Sequence, residues 1–506
     1  MTEIAMPEKA KGKNADSKGK DPQKGGRPTP WRDNIEAILM AIVMAIVLKY
    51  FIVEAYRIPT GSMQPTLMGN SRTGVYDRIL VDKFTPVLRN PLRFETWVFR
   101  YPLDQSKNYV KRVVGMGPEE IRVHNGDIWR RGIGAENMDA PNEGWQVLRR
   151  PRRVQQETWL ALIKEDAGDT LFHSADDMNV TFGREADHGG DYRMRYGQSR
   201  GSVMDNYNDG YPDNLKDRID RNKNNSGSHT VGDLRVSGEV TPKSDCEWIE
   251  AQLLEGQMQY NFRIPGPAAP EGAKASIEVM DRGPVSSIAP HTSFVESEPL
   301  RLKAGSTYQF AAQNLDDLLE LELDAEVLCT QEVPTASNQA SSLFLENKGG
   351  ASFEHLMVYR DIFYTPAIED SWTIPEGHYF MMGDNTLNSS DSRKWSSYTI
   401  DVIDEEGNAT QVSGNSRSSD NMGQSDFFTG QNPYTINRGT EDLRPITWFR
   451  DSFGENRAYE AGEVFEAEKS IAAEPFVPLE MMQGRAISVF WPIKPLDGVW
   501  RFKWVR

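Results

Sequence analysis

RIPTGSMQPTL, residues 57–67, sets a serine among Gly, Pro and Thr directly after the strongly apolar run AILMAIVMAIVLKYFIV at 37–53. That run is apolar apart from Lys49 and Tyr50. It is slightly shorter than the about 20 residues a membrane helix uses, and Lys49 can snorkel toward an interface. Apolar character on every face argues against a helix packed in a core, and VEAYRIP after it offers no small-x-small cleavage site of a secretory leader. The expectation is one transmembrane helix over 34–53. Residues 1–33 are rich in Lys, Gly and Pro and too poor in apolar positions to order themselves, so a disordered basic tail is expected there. The positive-inside rule keeps that tail cytoplasmic and sends everything after Val53 across, which places the serine where the chain leaves a membrane.

The 506 residues, 38% of them hydrophobic, suffice for a sizeable core and for two or three domains. A formal charge of −17 excludes a nucleic-acid partner, because phosphate binding needs a basic face and Lys/Arg-rich sequence occurs only at the N-terminus. Cys246 and Cys329 are too few for a disulfide framework or a zinc cage, and a single bridge between them stays open.

Past the apolar run, ILVDKF (79–84), ETWVFRY (95–101) and NYVKRVVG (108–115) are β-branched and aromatic runs separated by Pro, Asn and Asp, and read as strands. EEIRVHNGDIWRRG continues them, with Asn125-Gly126 as a hairpin turn. Residues 131–230 read as an irregular insertion with a short helix at 154–165. DNYNDG at 205–210 reads as a plain turn, since Tyr207 stands at a calcium-ligand position and the distal Glu is missing. From 231 to 362 regularly spaced strand candidates, DLRVSGEV, EWIEAQLL, QYNFRI, ASIEVM, LRLKAG, TYQFAAQ and LLELELDAEVL, predict a β-sandwich. DSWTIPEGHYFMMGDN lies in the segment 363–395, a polar insertion occupies 396–475, and VPLEMMQGRAISVFWPI opens a closing segment at 476–506. The fold class is mainly β.

A serine hydroxyl is a weak nucleophile until a base takes its proton, so Ser62 needs a partner. The seven histidines carry no local signature of a Ser-His-Asp triad. In NYVKRVVG, alternation along a strand puts Lys111 on one face with Tyr109 and Val113 and turns Arg112 to the other. A lysine covered by apolar neighbours loses hydration and acidifies, which suits it to accept the serine proton; a solvated strand lysine is the ordinary alternative.

RIPTGSMQPTL, ILVDKF, YVKRVVG and MMGDNTLNSSDSR (381–393), in that order behind an apolar span, resemble the motifs of bacterial type I signal peptidases, also called leader peptidases. S-M-x-P-T-L and G-D-N-x-x-x-S-x-D-S-R both stand intact, and VPLEMMQGRA (477–486) is similar to the family's closing segment. The resemblance covers about 54–130, 371–395 and 476–506. It departs from the family at GMGPEE (115–120), where the common pattern is G-x-P-G-D, and in the enlarged regions on either side of the GDN block.

Carried over by position, the resemblance implies an antiparallel β peptidase in which Ser62 is the nucleophile and Lys111 the general base. Thr60 and the Ser62 backbone N–H would bind the oxyanion. Ser389 would hydrogen-bond the lysine, Asp391 and Arg393 would pair beneath the site, and Gly383 and Asp384 would complete the dyad's support. Met63 and Pro65 read as scaffold. No cofactor and no metal is implied. The implied partners are preprotein signal peptides with small residues at −1 and −3 and membrane lipid, with an unknown ligand left open for the sandwich. The implied location is the cytoplasmic membrane, single-pass, with the catalytic domain outside. A Ser-Lys autoprotease and a non-enzymatic membrane-tethered sandwich are the alternatives.

Overall fold

The computed structural model describes residues 30–70, 75–132, 144–162, 172–174, 181–182, 186–196, 202–206, 227–282, 293–336, 340–367, 369–403, 407–416, 434–436, 445–460, 463–464, 470–494 and 499–505. Most of the expected basic tail lies outside them. The chain divides into a unit ending at Ile52 and a second running from Val53 to the C-terminus.

The first unit is an 18-residue α-helix, Pro30–Val47, followed by a π-helical segment, Leu48–Ile52. A transmembrane helix was expected over 34–53; among the described residues no helix is long and apolar enough to cross a membrane. The helix starts earlier than expected and takes Arg32, Asp33 and Glu36 into its first turns. Its apolar α-helical part, 37–47, spans only about 16 Å of the about 30 Å of a hydrocarbon core. Side chains along that part, among them Ile38, Met40 and Val43, are exposed.

The second unit is built on an antiparallel sheet with strand order Val53–Arg57, Arg78–Asp82, Met482–Trp491, Thr96–Tyr101, Asp104–Met116, His378–Met382, Phe476–Pro478. The chain's closing segment therefore sits mid-sheet, between strands from positions 78–82 and 96–101. A four-stranded sheet holds the hairpin Glu119–His124/Asp127–Gly132, whose turn residues Asn125 and Gly126 take φ of 57° and 96°, as a tight turn with two left-handed residues requires. Beside it the short helix is Arg152–Thr158; Leu160–Ala161 leaves it to pair with Tyr359 and Arg360, so the helix ends before the expected 165.

Two larger sheets form the inserted sandwich. One runs Leu160–Ala161, Ala351–Arg360, Leu234–Pro242, Tyr308–Leu315, Leu318–Leu323, Glu326–Glu332; the other contains Tyr192–Tyr196, Ser341–Lys348, Trp248–Glu255, Met258–Pro265, Lys274–Asp281 and Ser293–Pro299. Alternation supplies the core between them, with Leu343, Leu345, Ile249, Phe262 and Ile277 buried with Val236, Phe310, Leu321 and Phe353. Strands before residue 231, such as Phe172–Ser174 and Tyr192–Tyr196, belong to the second sheet, so the stretch read as irregular is partly sandwich. LLELELDAEVL is a hairpin turning at Asp324-Ala325, both at positive φ, rather than one strand. LRLKAG is a connection between strands. DNYNDG lies outside the described residues from 207 on; Asp205, buried, accepts from the His229 N–H at 3.0 Å. Cys246 and Cys329 are buried free thiols.

The polar insertion adds a small sheet pair around Tyr398, Ile400, Val402 and Phe449. Arg450 ties it to the sheet that contains Asp104–Met116 by donating to Asp104 at 3.0 Å and Ser106 at 2.9 Å.

One buried ion pair links the sheet to the segment after His378–Met382. Arg112 donates to Asp384 from Nε at 2.8 Å and Nη2 at 2.7 Å, with both side chains fully buried, and Nη1 donates to the Phe94 carbonyl at 2.6 Å. Removing one partner leaves an unpaired buried charge. Asp384→Asn is therefore expected to cost about 3–5 kcal/mol in urea unfolding, and the double variant Arg112→Met/Asp384→Leu to recover most of that loss.

Candidate active site

The loop that carries Ser62 is closed at its base. Ile58 N–H donates to the Asp77 carbonyl at 2.9 Å and Asp77 N–H to the Met68 carbonyl at 2.8 Å, so residues 58–68 form a loop pinned at both ends. The Asp77 carboxylate accepts from Met68 N–H at 2.7 Å and from Arg501 at 2.8 and 2.9 Å. Met63 and Leu67 turn inward and are fully buried, which leaves Ser62 half-exposed on the outer side. Thr60, two residues earlier, is exposed.

Lys111 arrives from the strand Asp104–Met116. Its face is the one the alternation assigns: Tyr109, Val113, Trp97, Phe99, Tyr101 and Trp395 form the surrounding apolar cluster, and Tyr101 and Tyr109 stack at 4.4 Å. Lys111 is 3% exposed, and its Nζ lies 2.6 Å from Ser62 Oγ in a hydrogen bond. Burial pushes its pKa from 10.5 down to about 8, against the pull of the Asp391 and Asp384 carboxylates and with the help of Arg393 and Lys394. Arg112, on the opposite face, makes the ion pair already described.

The GDN block packs against the serine loop from the other side. Gly383 fills a slot no side chain can enter: a Cβ there would stand 2.2 Å from Ser389 Oγ and 2.4 Å from the Ser62 carbonyl oxygen. Its N–H donates to Asp391 at 3.1 Å. Asp391 and Arg393 form a buried bidentate pair at 2.8 and 2.7 Å; burial would raise the Asp391 carboxyl, yet Arg393 and Lys111 hold it down at about 2. Asp384 is likewise held below its ordinary value against burial by Arg112 and by a short hydrogen bond from Thr66.

Ser389 departs from expectation. It is buried, but its hydroxyl makes no hydrogen bond among the described residues and so does not bond Lys111. The lysine amine is directed at Ser62, and the Ser389 hydroxyl rests against the Gly383 backbone.

Three residues not singled out in the sequence shape the site. Asn385 N–H donates to the Ser62 carbonyl at 3.2 Å and its Nδ2 to the Gly61 carbonyl at 3.1 Å, so it positions the Ser62 turn. Its place in the GDN motif was the available signal. Arg112 and Thr66 act together on Asp384, and nothing local in sequence distinguishes either.

Residues 31–163 and 328–412 match the family described as signal peptidase, peptidase S26. A probable signal peptidase I-2 of Synechocystis sp. is 32% identical over 139 residues, covering 26% of this chain and 60% of its own length. Signal peptidase I of Pseudomonas fluorescens is 40% identical over 93 residues, and that of Pseudomonas aeruginosa 41% over 93, each covering 16% of this chain and 31% of the relative. The chain thus spans less than two thirds of these curated relatives. Among solved structures, galectin LEC-6 of Caenorhabditis elegans aligns over 26% of this chain and 84% of its own with 11% identity and a TM-score of 0.20, which carries no conclusion. The serine and lysine blocks lie within the first matched segment and the GDN block within the second, and over these segments the chain is similar to the signal peptidase family, peptidase S26.

Proposed function

We propose that this protein is a serine endopeptidase that removes signal peptides from exported preproteins at a membrane, using Ser62 as nucleophile and Lys111 as general base. The observation that carries this reading is the 2.6 Å contact between the Lys111 amine and the Ser62 hydroxyl inside an apolar cluster. Neutral Lys111 accepts the Ser62 proton as Oγ attacks the scissile carbonyl. The developing oxyanion is received by the Ser62 N–H and the Thr60 hydroxyl, donors of the kind worth about 10²–10³ in rate. Lys111 then passes the proton to the leaving amine, and water deprotonated by the same amine hydrolyses the acyl-enzyme.

The substrate lies extended along a strand edge. Val53–Arg57 ends the peptidase sheet and, among the described residues, pairs only with Arg78–Asp82, so its outer edge offers backbone groups to a peptide and leads within a few residues to Ser62. Small residues at −1 and −3 fit shallow pockets beside that edge. Membrane attachment rests on the apolar run 37–53, whose exposed Ile38, Met40 and Val43 need a nonaqueous neighbour. Excess positive charge before it orients the catalytic unit to the extracytoplasmic side of the cytoplasmic membrane.

Ser62→Ala and Lys111→Ala are each expected to abolish cleavage in trans of a purified preprotein, an outcome that an autoprotease or a binding protein does not produce. Lys111→Arg keeps the charge but cannot release it near neutral pH, and loses activity as well. The base must be neutral, so the wild-type rate rises with pH through an apparent pKa of about 8 and falls at acid pH.

Stability should also rise with pH over this range. A lysine whose folded pKa lies below its unfolded 10.5 burdens the fold at neutral pH, where burial opposes its charge, and the burden fades as pH rises from about 8 to 10.5. Lys111→Met is thus expected to stabilise the protein at pH 7 by about 3 kcal/mol in denaturant titration, at 1.36 kcal/mol per pKa unit.

Membrane attachment predicts that the full chain stays with the membrane fraction in carbonate extraction, and that protease added outside spheroplasts digests the region after Val53. Release into the carbonate supernatant, or protection of that region, would contradict the proposed location.

A further inference from the structure

The hairpin Glu119–His124/Asp127–Gly132 of the four-stranded sheet drives its turn into the sandwich. Asn125 Nδ2 donates to the Ala336 carbonyl at 2.6 Å, and Tyr364 N–H donates to the Gly126 carbonyl at 2.8 Å. Asp127, the next residue, is thereby carried to 5% exposure. There it meets the inward-turned carboxylate of Asp233, beside the strand Leu234–Pro242, and Asp316, in the turn between Tyr308–Leu315 and Leu318–Leu323. One carboxylate oxygen from each of the three lies within 4.8 Å of the others.

Desolvated carboxylates at this spacing repel and need counter-charge. The arginines nearby are engaged with other groups. Arg150 pairs with Asp361; Arg149 pairs with Glu332 at 2.7 Å and donates to the Asp316 backbone carbonyl at 3.1 Å rather than to its carboxylate. A second observation points to a missing partner of another kind. Asp316 Oδ2, on a residue only 4% exposed, makes no hydrogen bond among the described residues.

We propose that Asp127, Asp233 and Asp316 bind a calcium ion that clamps the peptidase hairpin to the inserted sandwich. The donors are all carboxylate oxygen, which selects a hard divalent cation over a softer transition metal. Calcium takes six to eight oxygen ligands in flexible geometry, whereas magnesium demands a near-ideal octahedron and keeps several waters, so three buried carboxylates gathered in one place suit calcium better.

The test uses the full chain, stripped with EDTA and titrated with calcium chloride near neutral pH by isothermal titration calorimetry and thermal unfolding. The expected result is saturable binding of one ion per chain and a rise in Tm, equivalent to an about 100-fold shift of the folding equilibrium when calcium stands at 100 times its Kd. Asp316→Asn and Asp127→Asn, each followed by circular dichroism to verify folding, should weaken calcium binding at least about tenfold. No binding heat and no Tm shift in the wild type up to about 10 mM calcium, beyond the range of weak calcium sites, would overturn the proposal. So would an undiminished calcium response in both variants, or stabilisation by acidification alone, which would mean that shared protons rather than a cation satisfy the carboxyls.

Discussion

The desolvation of one amine is the constraint on which the proposed Ser62–Lys111 chemistry depends. Lys111 sits at 3% exposure with its Nζ 2.6 Å from Ser62 Oγ, and burial is the largest influence on its acidity. In water an amine of pKa 10.5 is charged at neutral pH and cannot take a proton; at about 8 a useful fraction is free. In the proposed mechanism, the apolar cluster on the Lys111 face, with Trp97, Phe99, Tyr101, Tyr109 and Trp395, matters as much as the amine itself.

Two carboxylates stand close enough to undo this effect by stabilising the ammonium. Each is held by its own guanidinium, Asp384 by Arg112 and Asp391 by Arg393, in buried two-point contacts. With those charges matched, Asp384 and Asp391 serve as anchors. Asp391 receives the Gly383 N–H, and the next residues of the block bring Asn385 onto the Gly61 and Ser62 carbonyls. The ion pairs hold the GDN block against the serine loop while limiting the field that would recharge Lys111.

The insertions are attached at defined points of the peptidase sheets. The polar insertion meets the start of the lysine strand through Arg450 on Asp104 and Ser106. The sandwich receives the Asn125-Gly126 turn and gathers Asp127 with Asp233 and Asp316. Both attachments lie on strands or hairpins that flank Lys111 in sequence, so the added segments grip the scaffold on either side of the lysine.

What the sequence determined by itself was whatever depends on local pattern. Period-2 alternation in NYVKRVVG assigned Lys111 and Arg112 to opposite faces, Asn125-Gly126 marked a hairpin, and the spacing of strand candidates after 231 indicated a sandwich. The motif blocks named Ser62, Lys111, Asp391 and Arg393 before any contact was visible. The α-helix begins at Pro30 and gives way to π geometry at Leu48, a change that hydropathy does not report, because it carries no information on hydrogen-bond register. Only the tertiary structure decided that Lys111 reaches Ser62, 49 residues away, that Arg112 with Thr66 holds Asp384, and that the Ser389 hydroxyl rests on Gly383 instead of bonding the lysine. Only it gathered Asp127, Asp233 and Asp316, from three separate segments, into one place. The reason is physical: a residue's face follows from its neighbours in sequence, but its hydration and its partners follow from what distant strands bury against it.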